Sequence, residues 1–301
     1  MSEANLADLT SHIYISQRLR LHYVDWGNRQ APPLILVHGG LDHCRNWDWV
    51  AKHLRSDFHV IAPDLRGHGD SQWSPDGNYS MAAHVYDLAQ LIHQEQLAPV
   101  TILAHSLGGN IALRYAGTFP EKVARLVAIE GLGLSPEMMA ERAARSVEAR
   151  LSAWIDQQRA LSARRPRRYA SIDEALARMR EANTRLSPAQ ARHLTVHGIS
   201  RNEDGSFSWK FDNYVRSLSP VDLTAEEMHH LWSRIDCPTL LVYGSESWAS
   251  NPAEDGRLGH FRCAELAMFE GAGHWVHHDR TDDFIARVRA FFDDHPLPES
   301  R

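Results

Sequence analysis

Ser106 stands in the run Thr101-Ile-Leu-Ala-His-Ser-Leu-Gly-Gly-Asn110. An apolar stretch stops abruptly at Ala104-His105-Ser106-Leu107-Gly108, and a helix-compatible stretch, 110–116, follows at once. Strand, sharp turn and helix in that order make a nucleophile elbow, with the serine at the tip of a strained turn and its hydroxyl exposed above the sheet. The residues two before and two after must be small, because strand and helix pass close together. Here they are Ala104 and Gly108, one methyl away from the usual pair of glycines. A serine hydroxyl at its ordinary pKa is a poor nucleophile and needs a base. Among nineteen histidines, most, such as His229-His230 and His277-His278, read as surface or helix-end residues. His38 and His43 suggest metal ligands, but no carboxylate or cysteine pattern completes such a site.

The elements that would position this turn can be read along the chain. Residues 12–27 alternate around polar Ser16-Gln17-Arg18 and predict a β-hairpin. Residues 34–37 are a continuous apolar strand of the kind buried in a parallel sheet, running into His38-Gly39-Gly40-Leu41. A helix fits 46–54, and a strand at 59–63 leads to Asp64-Leu-Arg-Gly-His-Gly-Asp-Ser71. Ser80 caps a helix over 81–96 whose inward face is Val85, Leu88, Leu91 and Ile92. A strand over 123–129 ends at Glu130-Gly131. Residues 132–232 then hold almost no strand-like runs, and helices are expected at 135–161, 171–185 and 187–196. The Arg164-Arg165-Pro166-Arg167-Arg168 cluster between them reads as a solvated turn. Strand character returns at 238–243, ending at Gly244, and at 264–269, which runs into Gly271-Ala-Gly-His274-Trp275. An amphipathic helix covers 282–292. Strands alternating with helices predict an α/β fold, a doubly wound sheet carrying a helical cap.

Four segments, His38-Gly39-Gly40, Asp64 to Ser71, Ala104 to Gly108 and Gly271-Ala-Gly-His274-Trp275, together resemble an α/β-hydrolase, in that family's order. The resemblance implies a mostly parallel eight-stranded sheet with the cap inserted after strand 6: core at 1–131 and 233–301, cap at 132–232. The cap also resembles the serine hydrolase-like proteins, through Ser171-Ile-Asp-Glu-Ala-Leu, Asn183-Thr-Arg-Leu-Ser and the stretch from His197-Gly198 to Asn213. By the resemblance, His274 is the base, and the backbone N–H groups of Gly40 and Leu107 form the oxyanion hole. His38 would hold the oxyanion loop, and Asp64 and Arg66 would pin the loop after the fourth strand. The family's commonest acid position, three residues after Gly244, is Ser247 here. A minority of members place the acid directly after strand 6, where this chain has Glu130. Glu130 is therefore the expected acid, with Glu246 next and Asp255 a further alternative.

These residues imply cleavage of a carboxylic ester or related small-molecule acyl compound through an acyl-enzyme on Ser106, with no metal or organic cofactor. Hydrolysis of a C–C bond beside a carbonyl or of a lactone uses the same triad. A hydroxynitrile lyase and a catalytically silent small-molecule receptor are the other readings of this fold. A formal charge of −6 gives no electrostatic reason to expect nucleic acid. No apolar run approaches membrane-spanning length and no signal-peptide pattern follows Met1, so a cytoplasmic protein without a membrane partner is expected. Three scattered cysteines agree with a reducing compartment. A few of Trp154, Trp209, Phe211, Tyr214, Trp232, Trp248 and Trp275 are expected to line a cleft between cap and core.

Overall fold

The computed structural model describes residues 9–297. The hairpin of β1 (Thr10–Ser16) and β2 (Leu19–Asp25) forms as expected, closed by Gln17 and Arg18 at φ 46° and 70°. Two left-handed residues give the turn whose twist matches a right-handed strand pair. Then come β3 (Pro33–Val37), β4 (His59–Pro63), β5 (Val100–His105) and β6 (Val123–Ile129). After a small separate hairpin of β7 (Ile199–Arg201) and β8 (Phe207–Trp209) follow β9 (Thr239–Gly244) and β10 (Ala264–Phe269). The main sheet has eight strands in the order β1-β2-β4-β3-β5-β6-β9-β10. It is antiparallel at β1-β2 and β2-β4 and parallel from β4 onward.

Its flanking helices are α1 (Asp48–Leu54), α2 (Met81–Gln94) and α3 (Leu107–Thr118). Between β6 and β9 run α4 (Pro136–Ala144), α5 (Val147–Ser162), α6 (Ile172–Ala182), α7 (Pro188–Gly198) and α8 (Ala225–Ser233), and after β10 come α9 (Val276–Asp279) and α10 (Thr281–Asp294). The central strands are apolar on both faces because both faces are covered. Ile35, Val37, Ile102 and Leu126 share a core with Leu88, Leu91, Ile111 and Tyr115 of α2 and α3. Leu34, Leu36, Leu103 and Val127 share the opposite core with Val50 and Leu54 of α1 and Phe284, Val288 and Phe291 of α10.

The expected helix over 135–161 is two helices. Arg145 is extended, and the Ser146 hydroxyl caps α5 by accepting the Ala149 N–H at 3.4 Å. The helix expected to reach 185 ends at Ala182, whereas α7 runs past 196 to Gly198 behind a capping box of Ser187 and Gln190. The β7–β8 hairpin lies where no strand was expected, because three-residue strands carry too little alternation to register. The arginines at 164, 165, 167 and 168 are exposed; Arg168 pairs with Asp204 and Arg167 lies over the Tyr169 ring.

The 132–232 stretch packs on loops that follow strand carboxyl ends. Leu194 accepts from His43 Nε2 at 3.0 Å, Asp212 donates its N–H to Gly67 at 2.9 Å, and Arg114 of α3 pairs with Asp222. Among the described residues no helix is long and apolar enough to cross a membrane.

Candidate active site

β5 ends at His105 and α3 begins at Leu107, leaving Ser106 between them with φ 51° and ψ −114°. Such a backbone costs about 1–3 kcal/mol and persists only where neighbours enforce it. Here the Ser106 N–H donates to the Ile129 carbonyl at 2.8 Å, and the Ser106 carbonyl accepts the Asn110 N–H at 2.9 Å. A β-carbon on Gly108 would stand 2.5 Å from the carbonyl oxygens of both Val37 and His38, and one on Gly109 would stand 2.7 Å from Gly131 Cα. Glycine is a steric requirement at both. The extra methyl of Ala104 is absorbed inside the sheet, where that residue sits buried opposite Val37 and Ala128.

The loop after β3 passes alongside the elbow. A β-carbon on Gly39 would lie 3.3 Å from Ser106 Cβ, and one on Gly40 would lie 3.9 Å from Leu107 Cδ2. His38 holds this loop: its Nε2 accepts the Leu65 N–H at 2.9 Å and its Nδ1 donates to the Gly39 carbonyl at 2.7 Å. One accepting and one donating nitrogen describe a neutral ring. Burial, helped by neighbouring His68, depresses its pKa to about 3. Asp64 accepts the N–H groups of Cys44 and Asp70, and Arg66 donates to both oxygens of Asp87, so these two charges do pin the β4 loop.

Glu130 follows β6 at φ 48°, and its N–H donates to the Val242 carbonyl at 2.9 Å. Its buried carboxylate takes three hydrogen bonds. Oε1 accepts the Gly244 N–H at 3.0 Å; Oε2 accepts the Ser247 hydroxyl at 2.6 Å and His274 Nδ1. Glu246 is exposed and paired with Arg185, and Asp255 binds Arg257 and Ser250. Of the three carboxylates considered, Glu130 is the one against His274. Ser247, three residues after Gly244, is thus a hydrogen-bond donor to the same carboxylate.

Three supports of His274 were not singled out in the sequence. His105 Nε2 lies 3.0 Å from the His274 carbonyl, and burial, with the His274 ring beside it, holds the His105 pKa well below the usual value. Asp279 accepts the Gly273 N–H at 2.8 Å. Arg185, from the 132–232 stretch, donates to the Gly271 carbonyl at 2.8 Å and approaches Asp279 at 4.0 Å. The available signals were the adjacency of His105 to Ser106 and the place of Arg185 in the Asn183-Thr-Arg-Leu-Ser segment. The indole of Trp248, 76% exposed, lies 4.7 Å from the His274 ring, centroid to centroid. His277 and His278, read as surface or helix-end residues, form α9 but are buried, His277 stacking on Trp47 at 4.5 Å. Their polar neighbours in sequence concealed an inward-facing turn.

A cavity of about 280 Å³ is lined by His22, Cys44 and Asp64 and includes neither Ser106 nor His274. A smaller one, about 20 Å³, lies beside the loop after β3, lined by Leu41 and, from the 132–232 stretch, by Met179, Leu194, Trp209 and Phe211.

A family profile described as alpha/beta hydrolase fold matches residues 32–281. The chain is 26% identical over 271 residues to Esterase YbfF of Escherichia coli (strain K12), covering 87% of this chain and 93% of that protein. It is 24% identical over 222 residues to the Serine hydrolase-like protein of Danio rerio, covering 73% of this chain and 67% of that one. Among solved structures, the thioesterase domain from the curacin biosynthetic pathway is similar with a TM-score of 0.79 at 24% identity, over 93% of this chain and 99% of that one.

Proposed function

The chain belongs to the alpha/beta hydrolase fold family, and from that premise we propose that it is an esterase-type serine hydrolase, cleaving carboxylic esters or related acyl compounds through an acyl-enzyme on Ser106. The observation that carries the reading is the buried pairing of Glu130 with His274, at the strand ends that also carry the strained Ser106 turn. With Nδ1–H directed to Glu130, Nε2 of His274 is left to take the Ser106 proton. The serine oxygen attacks the acyl carbon, and the N–H groups of Gly40 and Leu107 hold the developing oxyanion. His274 returns the proton to the leaving alcohol as the acyl–oxygen bond breaks. Water, with His274 again as base, then frees the acid. Glu130 stabilises the imidazolium in both halves.

We take 132–232 as a cap on this site. The small cavity beside the loop after β3 takes part of its lining from this stretch, at Met179, Leu194, Trp209 and Phe211, and on this reading substrate enters as the cap moves. Relatives named as an esterase and a thioesterase domain support the acyl-transfer reading. Ser106→Ala should lower turnover of a short p-nitrophenyl ester by about 10³-fold or more, with unchanged circular dichroism. A fluorophosphonate should label the wild type and not the variant. Wild-type turnover in the variant would overturn the assignment.

A further inference from the structure

His22 of β2, Cys44 after β3 and Asp64 after β4 are far apart in sequence, yet all three are buried and their ligand atoms lie within 4.8 Å of one another. They line the 280 Å³ cavity, which gives an ion and its water a way in. We propose that these three side chains form a site for a borderline-soft divalent cation, with Zn²⁺ as the type and the fourth position taken by water from the cavity. Imidazole nitrogen, thiolate sulfur and carboxylate oxygen are the donors such an ion takes, whereas Mg²⁺ and Ca²⁺ prefer all-oxygen sets.

The groups that would orient the ligands are in place. His22 Nε2 is 2.7 Å from the Ser11 hydroxyl, so the ring can donate from Nε2 and present a lone pair at Nδ1. Asp64 Oδ1 is fixed by the Cys44 N–H at 2.6 Å and Oδ2 by the Asp70 N–H at 2.9 Å. His22 Nδ1 now stands 2.7 Å from Asp64 Oδ2. A tetrahedral ion bound to both needs about 3.3 Å between them, a widening of about 0.6 Å. His43, buried and with Nδ1 unpartnered among the described residues, lines the same cavity. Binding would release the Cys44 thiol proton to solvent and move the His22 proton to Nε2. A second convergence, Asp48 with His193 and His197, is less suited, because the Arg45 guanidinium already donates to both Asp48 oxygens and fixes a positive charge there.

Occupancy would reach the oxyanion loop. Cys44 follows that loop directly, and Leu65, next to Asp64, donates to the His38 ring that holds Gly39. An ion that re-spaces Cys44 and Asp64 therefore displaces Gly40 and slows turnover. This second part rests on the esterase reading; the ion site does not.

The test is titration of the full chain with Co²⁺, read as sulfur-to-cobalt charge-transfer absorption. One equivalent should develop the band, and equimolar Zn²⁺ should displace it. The band should vanish in Cys44→Ser, weaken at least about tenfold in affinity in His22→Gln, and persist in Cys263→Ser. Zn²⁺ should lower ester turnover at least about tenfold in the wild type and less than about twofold in Cys44→Ser. No band in the wild type, or a band surviving Cys44→Ser, would overturn the site. A band without loss of turnover would overturn the coupling alone.

Discussion

At Glu130 the side chain is turned inward by a positive φ and shared among Gly244, Ser247 and His274. Replacing it with Gln keeps the volume but presents an amide that favours the wrong imidazole tautomer. Glu130→Gln should lower kcat by about 10³- to 10⁴-fold with little change in KM, while Glu246→Gln stays within about twofold of wild type because its pair with Arg185 is solvent-exposed and Arg185 keeps its bond to the Gly271 carbonyl. Ser247 already bonds the same oxygen as His274. Ser247→Asp in the Glu130→Gln background should therefore recover at least about tenfold of the lost kcat; no recovery would show that a carboxylate introduced there cannot reach the imidazole. The sharp turn at Ser106 was legible because an apolar strand stops abruptly between small residues, and the loop carrying His274 was legible through the resemblance that places a base after the last strand. Glu130 was legible because a carboxylate closing an apolar strand demands a partner. The His105–His274 and Ser247–Glu130 contacts were not, since a ring nitrogen on a backbone carbonyl and a serine hydroxyl on a carboxylate leave no mark in residue type or spacing.

Among the elements, the elbow is set by contact between backbones. Gly108→Ala would drive a β-carbon onto two carbonyl oxygens that cannot rotate away. The variant should lose about 1–3 kcal/mol or more, and kcat should fall with stability because the displaced backbone is that of Val37 and His38. Thermal melts and kinetics on the same preparation check this. α5 behaves differently, since Leu161 is its one buried residue. Ser146→Ala should cost about 0.5–2 kcal/mol locally, seen as faster amide exchange over 147–150 while the global melting temperature holds. The same looseness explains why the α4–α5 break was missed: no proline or glycine marks it, and a single serine hydroxyl decides it. The central strands were legible because burial on two faces forces unbroken apolar runs.

Across the whole molecule, histidines held neutral by burial form a common store of acid sensitivity. Burial depresses His38 and His278 to about 3 and His68 to about 4, and holds His84, His105 and His277 well below the usual value. Unfolded, each binds a proton below about pH 6.5 that the native state refuses, His68 until about pH 4 and His38 and His278 until about pH 3, so stability is full above 6.5 and drains as pH falls below it. Melting temperatures should be flat from about pH 8 to 7 and drop steeply toward 4.5, with net proton uptake on unfolding; a flat profile to 4.5 would contradict this. Arg185 carries a separate consequence at the same scale. It leaves the 132–232 stretch to grip the Gly271 carbonyl, three residues before His274. Under the proposed function, in which that stretch lifts to admit substrate, the lifting unfastens the turn that carries the imidazole, and reseating fastens it again. Admission first and alignment second is then an order of events written into where one guanidinium is anchored.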